Sequence, residues 1–383
     1  MSTHQEDKVK TKHNSLEVRL IAVGLAAFIV GCSDGSDPRP PAPEPEPEPL
    51  IVPFQELYDQ GVDRYLGEFT PMTSEVDGDT TVHTFGAMDG GPLCLRGGEY
   101  AMSTKENTGE ELVIFLQGGG ACWNDFCAAT ETADPTVPEF GLLDQSLENN
   151  PVADWDLAYL PYCDGSIFSG DADYDDDGDG QIDRYHRGLQ NTSASLDVVA
   201  NAFPSPSRIL LTGVSAGGFG TDYALPLVRK LYPDVPIELI NDSGVGVSAP
   251  GFSTDRAAEW NSEAFIAQSV PDFIDDRGHL TNGHIWYLNE DPNLRMGYMS
   301  TKQDVVIADV FLMIGGPAFE AELIPEMAKL EEAHPDRFRS LIGDGNQHTF
   351  LQTRFEDTVG GTTIVQWITD MLSGSSDWVS VSD

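Results

Sequence analysis

From Leu112 onward the apolar residues fall into short runs that stop at glycine-rich or polar turns. Leu112–Leu116, Leu157–Leu160, Ile209–Thr212 and Ile237–Ile240 are continuous rather than alternating. Runs of that length predict strands buried on both faces. Arg339–Ile342 reads as a late strand of the same kind. Between the strands the apolar spacing lengthens to helical. Thr192–Phe203 carries Leu196, Val199, Ala200 and Phe203 on one face. Phe219–Leu231 has helical spacing, and Thr363–Leu372 sets Ile364, Trp367, Ile368 and Met371 in register. Strands alternating with helices predict an α/β fold with a parallel sheet covered on both sides. Val305–Ile314 is an apolar stretch directly after Asp304, and residues 54–90 predict short strands ahead of the core.

The N-terminal pattern is different. Lys8, Lys10, Lys12 and Arg19 precede an apolar run, Leu20–Val30, of secretory rather than membrane-spanning length. The run ends Ile29-Val30-Gly31-Cys32, which resembles the lipobox of bacterial lipoproteins. Residues 1–31 are therefore expected to be a cleaved export signal and Cys32 a lipidated N-terminus that anchors the protein to a membrane. Residues 32–53 form a tether in which proline alternates with glutamate. Such a segment favours an extended polyproline spacer, roughly 35–40 Å long between Pro38 and Pro49. Serine directly after the lipid cysteine resembles the sorting signal of double-membrane bacteria, a resemblance that implies the outer membrane or cell surface. The folded domain is expected over residues 54–383.

The 383-residue chain is 40% hydrophobic, enough for a packed core, and its formal net charge is −42. A surface this acidic repels nucleic acid and anionic membranes, which excludes DNA or RNA as partners. It also disfavours a polyanionic substrate. Besides Cys32 there are four cysteines, Cys94, Cys122, Cys127 and Cys163, an even set that suits two disulfides in an oxidising compartment. The chain is expected to act as a monomer.

The chemistry centres on Gly213-Val214-Ser215-Ala216-Gly217, a G-x-S-x-G between a strand and a helix. That is the context of a nucleophile elbow, with Ser215 as nucleophile. A serine hydroxyl needs a base, and the base an orienting acid. His348 follows a glycine-rich loop after the late strand and is the candidate base. His334 precedes Pro335 at a helix end and reads as a surface residue. His279 and His284 lie in a polar stretch that reads as part of a lid. The candidate acid is Asp304, with Asp242, directly after a strand, as the alternative. An acyl-transfer oxyanion needs fixed N–H donors. The Gly118-Gly119-Gly120 turn and the amide of Ala216 can provide them.

Taken together, the segments Phe115–Trp123 (with Gln117-Gly-Gly-Gly-Ala121), Pro161-Tyr-Cys-Asp-Gly165, Tyr185-His-Arg-Gly188, Gly213–Gly218 and Asn241-Asp-Ser-Gly244 resemble the pectin acetylesterase and Notum carboxylesterase family. The resemblance runs from about Cys94 to His348. It implies an α/β-hydrolase-like three-layer α/β/α sandwich and a serine esterase without a catalytic metal or cofactor. It maps the triad to Ser215, Asp304 and His348 and the oxyanion donors to Gly119, Gly120 and Ala216. It also implies the disulfides Cys94–Cys163 and Cys122–Cys127. Gly120 stands where some relatives carry Trp, and Thr349 where plant members tend to carry Cys.

One motif is not absorbed by that reading. An inserted acidic loop over residues 171–184 contains D-x-D-x-D-G-x-x-D from Asp175 to Asp183. Alternating carboxylates around a turn glycine suit a hard cation such as Ca2+, with Asp175, Asp177, Asp179 and Asp183 as ligands. The expected role is structural. The functional expectation is thus an exported serine carboxylesterase acting on acyl, above all acetyl, esters of a glycan or small molecule. The alternatives are a calcium-braced surface binding module on a hydrolase scaffold, or a lipase or peptidase of the same fold.

Overall fold

The computed structural model describes residues 52–88 and 90–383. The export signal, Cys32 and all but the last two residues of the tether lie outside the described residues. Ten strands make one sheet: β1 (Thr73–Asp77), β2 (Thr80–Phe85), β3 (Tyr100–Lys105), β4 (Leu112–Leu116), β5 (Asp156–Leu160), β6 (Ile209–Val214), β7 (Ile237–Asp242), β8 (Leu294–Thr301), β9 (Phe338–Gly343) and β10 (Val381–Ser382). Their spatial order is β1-β2-β3-β5-β4-β6-β7-β8-β9-β10. From β5 to β10 every pairing is parallel. β1, β2 and β3 form an antiparallel meander that joins the sheet through β5.

The continuous apolar runs are the strands with no exposed face. β4, β6 and β7 are buried along their whole length. Because side chains alternate, each strand feeds two cores. Leu112, Ile114 and Leu116 of β4 point into one, Val113 and Phe115 into the other. The first core is covered by the helices α2 (Gly188–Ala202), α3 (Ala216–Leu231), α5 (Thr281–Glu290) and α6 (Gly316–Ala333), while α1 (Gln55–Asp59) and α4 (Phe252–Glu259) are shorter. The second is covered by one helix, α7 (Ile364–Ser373), and by loop residues such as Leu142, Trp155 and Phe350. The result is a mostly parallel sheet between helical layers, the α/β-hydrolase-like sandwich the sequence leads one to expect, with unequal layers. Helix α7 buries Ile364, Trp367, Ile368 and Met371 as the spacing predicts. Thr363 caps its start by accepting from the Gln366 N–H at 3.1 Å, and Gly374 ends it at φ 67°.

The disulfides are Cys94–Cys163 and Cys122–Cys127, the pairing that the family resemblance implies. No described helix is long and apolar enough to cross a membrane.

Candidate active site

Ser215 directly follows the strand β6, in the middle of the parallel sheet, and α3 begins at the very next residue. Its backbone is left-handed, with φ 57° and ψ −121°. A non-glycine residue holds that conformation only where its surroundings impose it. The surroundings here are glycines that let three chain segments meet. A Cβ on Gly213 would lie 2.3 Å from the Gly217 carbonyl oxygen, and one on Gly217 would lie 2.0 Å from that of Leu116. A Cβ on Gly118 would reach within 3.0 Å of Ser215 Cβ, so the glycine run after β4 lies directly against the nucleophile turn. This is the strand-turn-helix geometry of a nucleophile elbow.

The same run carries the candidate oxyanion donors. Gly120 opens a short hairpin, Gly120–Trp123 with Phe126–Ala129, closed by the Cys122–Cys127 disulfide. The Thr130 N–H donates to the Gly119 carbonyl at 2.7 Å, which makes the next pair, Gly120 with Ala129, a non-hydrogen-bonded one. The Gly120 N–H therefore points away from its hairpin partner. The Ala216 N–H belongs to the first turn of α3, where amides have no intrahelical acceptor. Gly120, Ser215 and Ala216 line one cavity of about 100 Å3, walled by Phe126, Ile167, Phe219, Val310 and Phe311. Behind that wall Trp123 stacks on Phe126 with ring centroids 4.4 Å apart, and Phe311 packs edge-on against Phe252. An apolar wall of this kind lowers the local dielectric around the serine. Ile167 is set by the turn of Asp164. The buried Asp164 carboxylate accepts from the Ser166 and Phe168 N–H groups, and burial pushes its carboxyl up to about 6.

His348 and Asp304 come together because β8 and β9 are parallel neighbours. Beyond the last strand pair, Thr301 with Gly343, the two loops continue to zip. Lys302 N–H donates to Gly343 O, Gln303 N–H to Gly345 O and Val305 N–H to Asn346 O, at 2.9, 3.0 and 3.0 Å. Thr301 Oγ1 donates to Gln347 O at 2.6 Å. His348 Nδ1 then lies 2.9 and 2.8 Å from the two Asp304 carboxylate oxygens. Asp304 is fully buried, and its Oδ1 also accepts from the Val306 and Ile307 N–H groups. An ionised carboxylate only accepts, so Nδ1 carries the proton and Nε2 presents a lone pair. Nε2 is buried and makes no hydrogen bond among the described residues.

Asp242, the alternative acid, makes no hydrogen bond to the His348 ring among the described residues. Its Oδ2 accepts instead from the Phe350 and Leu351 N–H groups at 2.6 and 2.8 Å. The lid expectation for His279 and His284 also gives way. Both are buried: His284 Nε2 meets Asp222 Oδ2 at 3.1 Å, and His279 Nδ1 accepts from the Ser248 N–H. His334 caps the C-terminal end of α6 and is half-buried. The polar look of residues 275–284 arose from side chains that pair internally.

In the acidic loop, which forms the hairpin Ala172–Tyr174 with Arg184–His186, carboxylate oxygens of Asp175, Asp177 and Asp183 lie within 4.8 Å of one another. Asp179 does not join them; its Oδ1 accepts from the Gln181 N–H at 2.8 Å.

The family model described as Pectinacetylesterase matches residues 80–271, half of the chain. The chain belongs to the pectinacetylesterase family. The matched stretch takes in the glycine run, both disulfides, Ser215 and Asp242, and ends before Asp304 and His348. Pectin acetylesterase 4 of Arabidopsis thaliana is 27% identical over 173 residues, which cover 41% of this chain and 42% of that protein. The alignment thus spans less than half the length of this curated relative.

What sequence reasoning missed here is the aromatic wall and the side-chain role of Asp242. Trp123, Phe126, Phe252 and Phe311 carry no shared periodic signal because they converge from the ends of a short hairpin, a helix and a π-helical turn far apart in the chain.

Proposed function

We propose that this pectinacetylesterase family member is a carboxylic ester hydrolase with Ser215 as nucleophile, His348 as base and Asp304 as the acid that orients it. The observation that carries the reading is the His348–Asp304 contact, which leaves a bare, buried Nε2. In this scheme Nε2 takes the Ser215 proton as Oγ attacks the acyl carbonyl. The oxyanion is held by the Gly119, Gly120 and Ala216 amides. The imidazolium then gives the proton to the leaving alcohol. A water, deprotonated by the same nitrogen, releases the acid and restores Ser215. No metal or cofactor enters the scheme.

The small apolar cavity beside Ser215 supports a short acyl group, above all acetyl. The charge of −42 supports a neutral acetylated glycan or small ester over de-esterified pectin, which is itself polyanionic. The Lys-rich start, the apolar run and the lipobox-like Ile29–Cys32 support export and lipid anchoring at Cys32, with the domain held off an outer membrane by the tether. The converging Asp175, Asp177 and Asp183 support a structural Ca2+ in the acidic hairpin. The test is hydrolysis of a chromogenic acetate ester by the full chain and by Ser215→Ala. Turnover on acetate that disappears in the variant supports the scheme. Equal activity in both removes it. Inertness of both across acyl lengths favours the binding-module alternative.

A further inference from the structure

We propose that Asp242 is the positioning residue of this site: it holds the segment that carries His348 in register with Ser215. The inference rests on the Ser215–His348–Asp304 reading above. Asp242 acts in two directions. Its main-chain carbonyl accepts from the Ser215 N–H at 2.8 Å, which fixes the nucleophile turn. Its carboxylate Oδ2 accepts from both Phe350 and Leu351 N–H, at 2.6 and 2.8 Å. The neighbouring Ser243 extends the grip. Its Oγ donates to Asp242 Oδ1 at 3.3 Å and accepts from the Thr349 N–H at 3.2 Å. Three consecutive amides immediately after His348 are thus held from one strand end.

The segment would not keep this shape by its own preference. Thr349 has φ 63° and Ser243 φ 66°, left-handed values that cost non-glycine residues energy. The carboxylate is held against its preference too. Asp242 is fully buried, and burial pushes its carboxyl up to about 6, although the two amides favour the ionised form. The charged groups that act on it are His348, whose imidazolium would favour the carboxylate, and Asp304, which opposes it. A raised carboxyl pKa adds stability below the ordinary value of 3.8 and loses it as pH rises through about 6. At neutral pH the ionised side chain therefore works against the fold while ordering the site.

That opposition makes the role testable. Asp242→Asn keeps the shape but replaces the charged acceptor of the Phe350 and Leu351 amides with a neutral one that holds them about half as strongly. On the full chain, with chromogenic acetate at pH 8, kcat is expected to fall at least about tenfold with KM within about twofold, as misplacement of a reacting group lowers the rate step rather than binding. The melting temperature should stay the same or rise. The contribution of Asp242 protonation near pH 6 to the acid limb of kcat/KM should be absent in the variant, which makes that limb shallower than in the wild type. A kcat within about twofold of wild type overturns the proposal, as does a loss of activity matched by a fall in melting temperature. Should Asp242→Asn fail to fold, Ser243→Ala removes the Thr349 acceptor and the donor to Asp242 Oδ1 while leaving the Phe350 and Leu351 amides on the carboxylate. A smaller fall in kcat with an unshifted acid limb supports the positioning role, and unchanged kcat counts against it. Ser215→Ala run alongside separates the two claims. If Ser215→Ala retains turnover, the site reading fails. If it is inactive and Asp242→Asn is unimpaired, only the positioning role fails.

Discussion

At the scale of single residues, the site depends on which nitrogen of His348 carries the proton. Both Asp304 oxygens face Nδ1, so the bare nitrogen is the one turned away from the acid. Asp304→Asn would present an amide N–H to the same ring nitrogen and favour the opposite tautomer, with the proton on Nε2. Such a histidine cannot accept from serine. The expected result is a loss in kcat on the order of 10²–10⁴-fold with little change in KM and no loss of fold. Steady-state kinetics with circular dichroism check it, and a drop of less than about threefold would speak against Asp304. The strained Ser215 backbone is a residue-scale feature with a sequence signature, since Gly213 and Gly217 are placed where only glycine fits. Asp242 had no such signature. Its carboxylate contacts residues more than a hundred positions away, and sequence reasoning could place it only as an alternative acid after a strand.

At the scale of elements, five of the parallel strands, β4, β5, β6, β7 and β9, were legible from short apolar runs, whereas β8 was missed because Arg295, Gly297, Ser300 and Thr301 interrupt its pattern. β1 and β2 were foreseen only as unplaced short strands within residues 54–90, because most of β1 is exposed and polar and β2 is only half-buried. The apolar stretch after Asp304 was seen, but its shape was not. It coils into a π-helical turn, Val306–Phe311, that buries Ile307 and Ala308 and leaves Val310 on the pocket wall. Two helices are tied by a pair that no local pattern reveals. Arg229, near the end of α3, meets Asp291, just past α5, at 2.7 Å with both side chains fully buried. Arg229 also donates to the Tyr232, Pro233 and Val235 carbonyls that leave α3. Arg229→Ala would strand the Asp291 charge and those acceptors, lowering unfolding free energy by about 3–5 kcal/mol in urea titration. A loss below about 1 kcal/mol would mean that the pair is dispensable. The acidic hairpin behaves differently. Its three close carboxylates repel each other unless a cation intervenes. Chelation by EGTA should lower the melting temperature of the full chain and added Ca2+ restore it. Asp175→Asn should abolish the response, and a wild type insensitive to chelation would argue for a merely solvated loop.

At the scale of the whole molecule, the charge of −42 sets what can approach the site, while the fold sets what can react there. The repulsion weakens with salt, so a preference for neutral over anionic esters should narrow as ionic strength rises. The outline of the domain was legible because a parallel α/β sheet writes its layers into alternating apolar periods. The inequality of those layers was not, since loop residues such as Trp155 and Phe350 substitute for helices on one face. The triad could be nominated from chain order and loop position. The His348–Asp304 contact depends on the zipped loops beyond β8 and β9, which are held mostly by backbone groups without sequence preference. The central claim is that Ser215 is the nucleophile activated by His348. The most direct test is reaction of the full chain with a fluorophosphonate probe, read by intact mass and peptide mapping. The account predicts a single adduct on Ser215 that is absent in Ser215→Ala and slowed in His348→Ala. Acetate turnover without an adduct, or an adduct on any other residue, would contradict it.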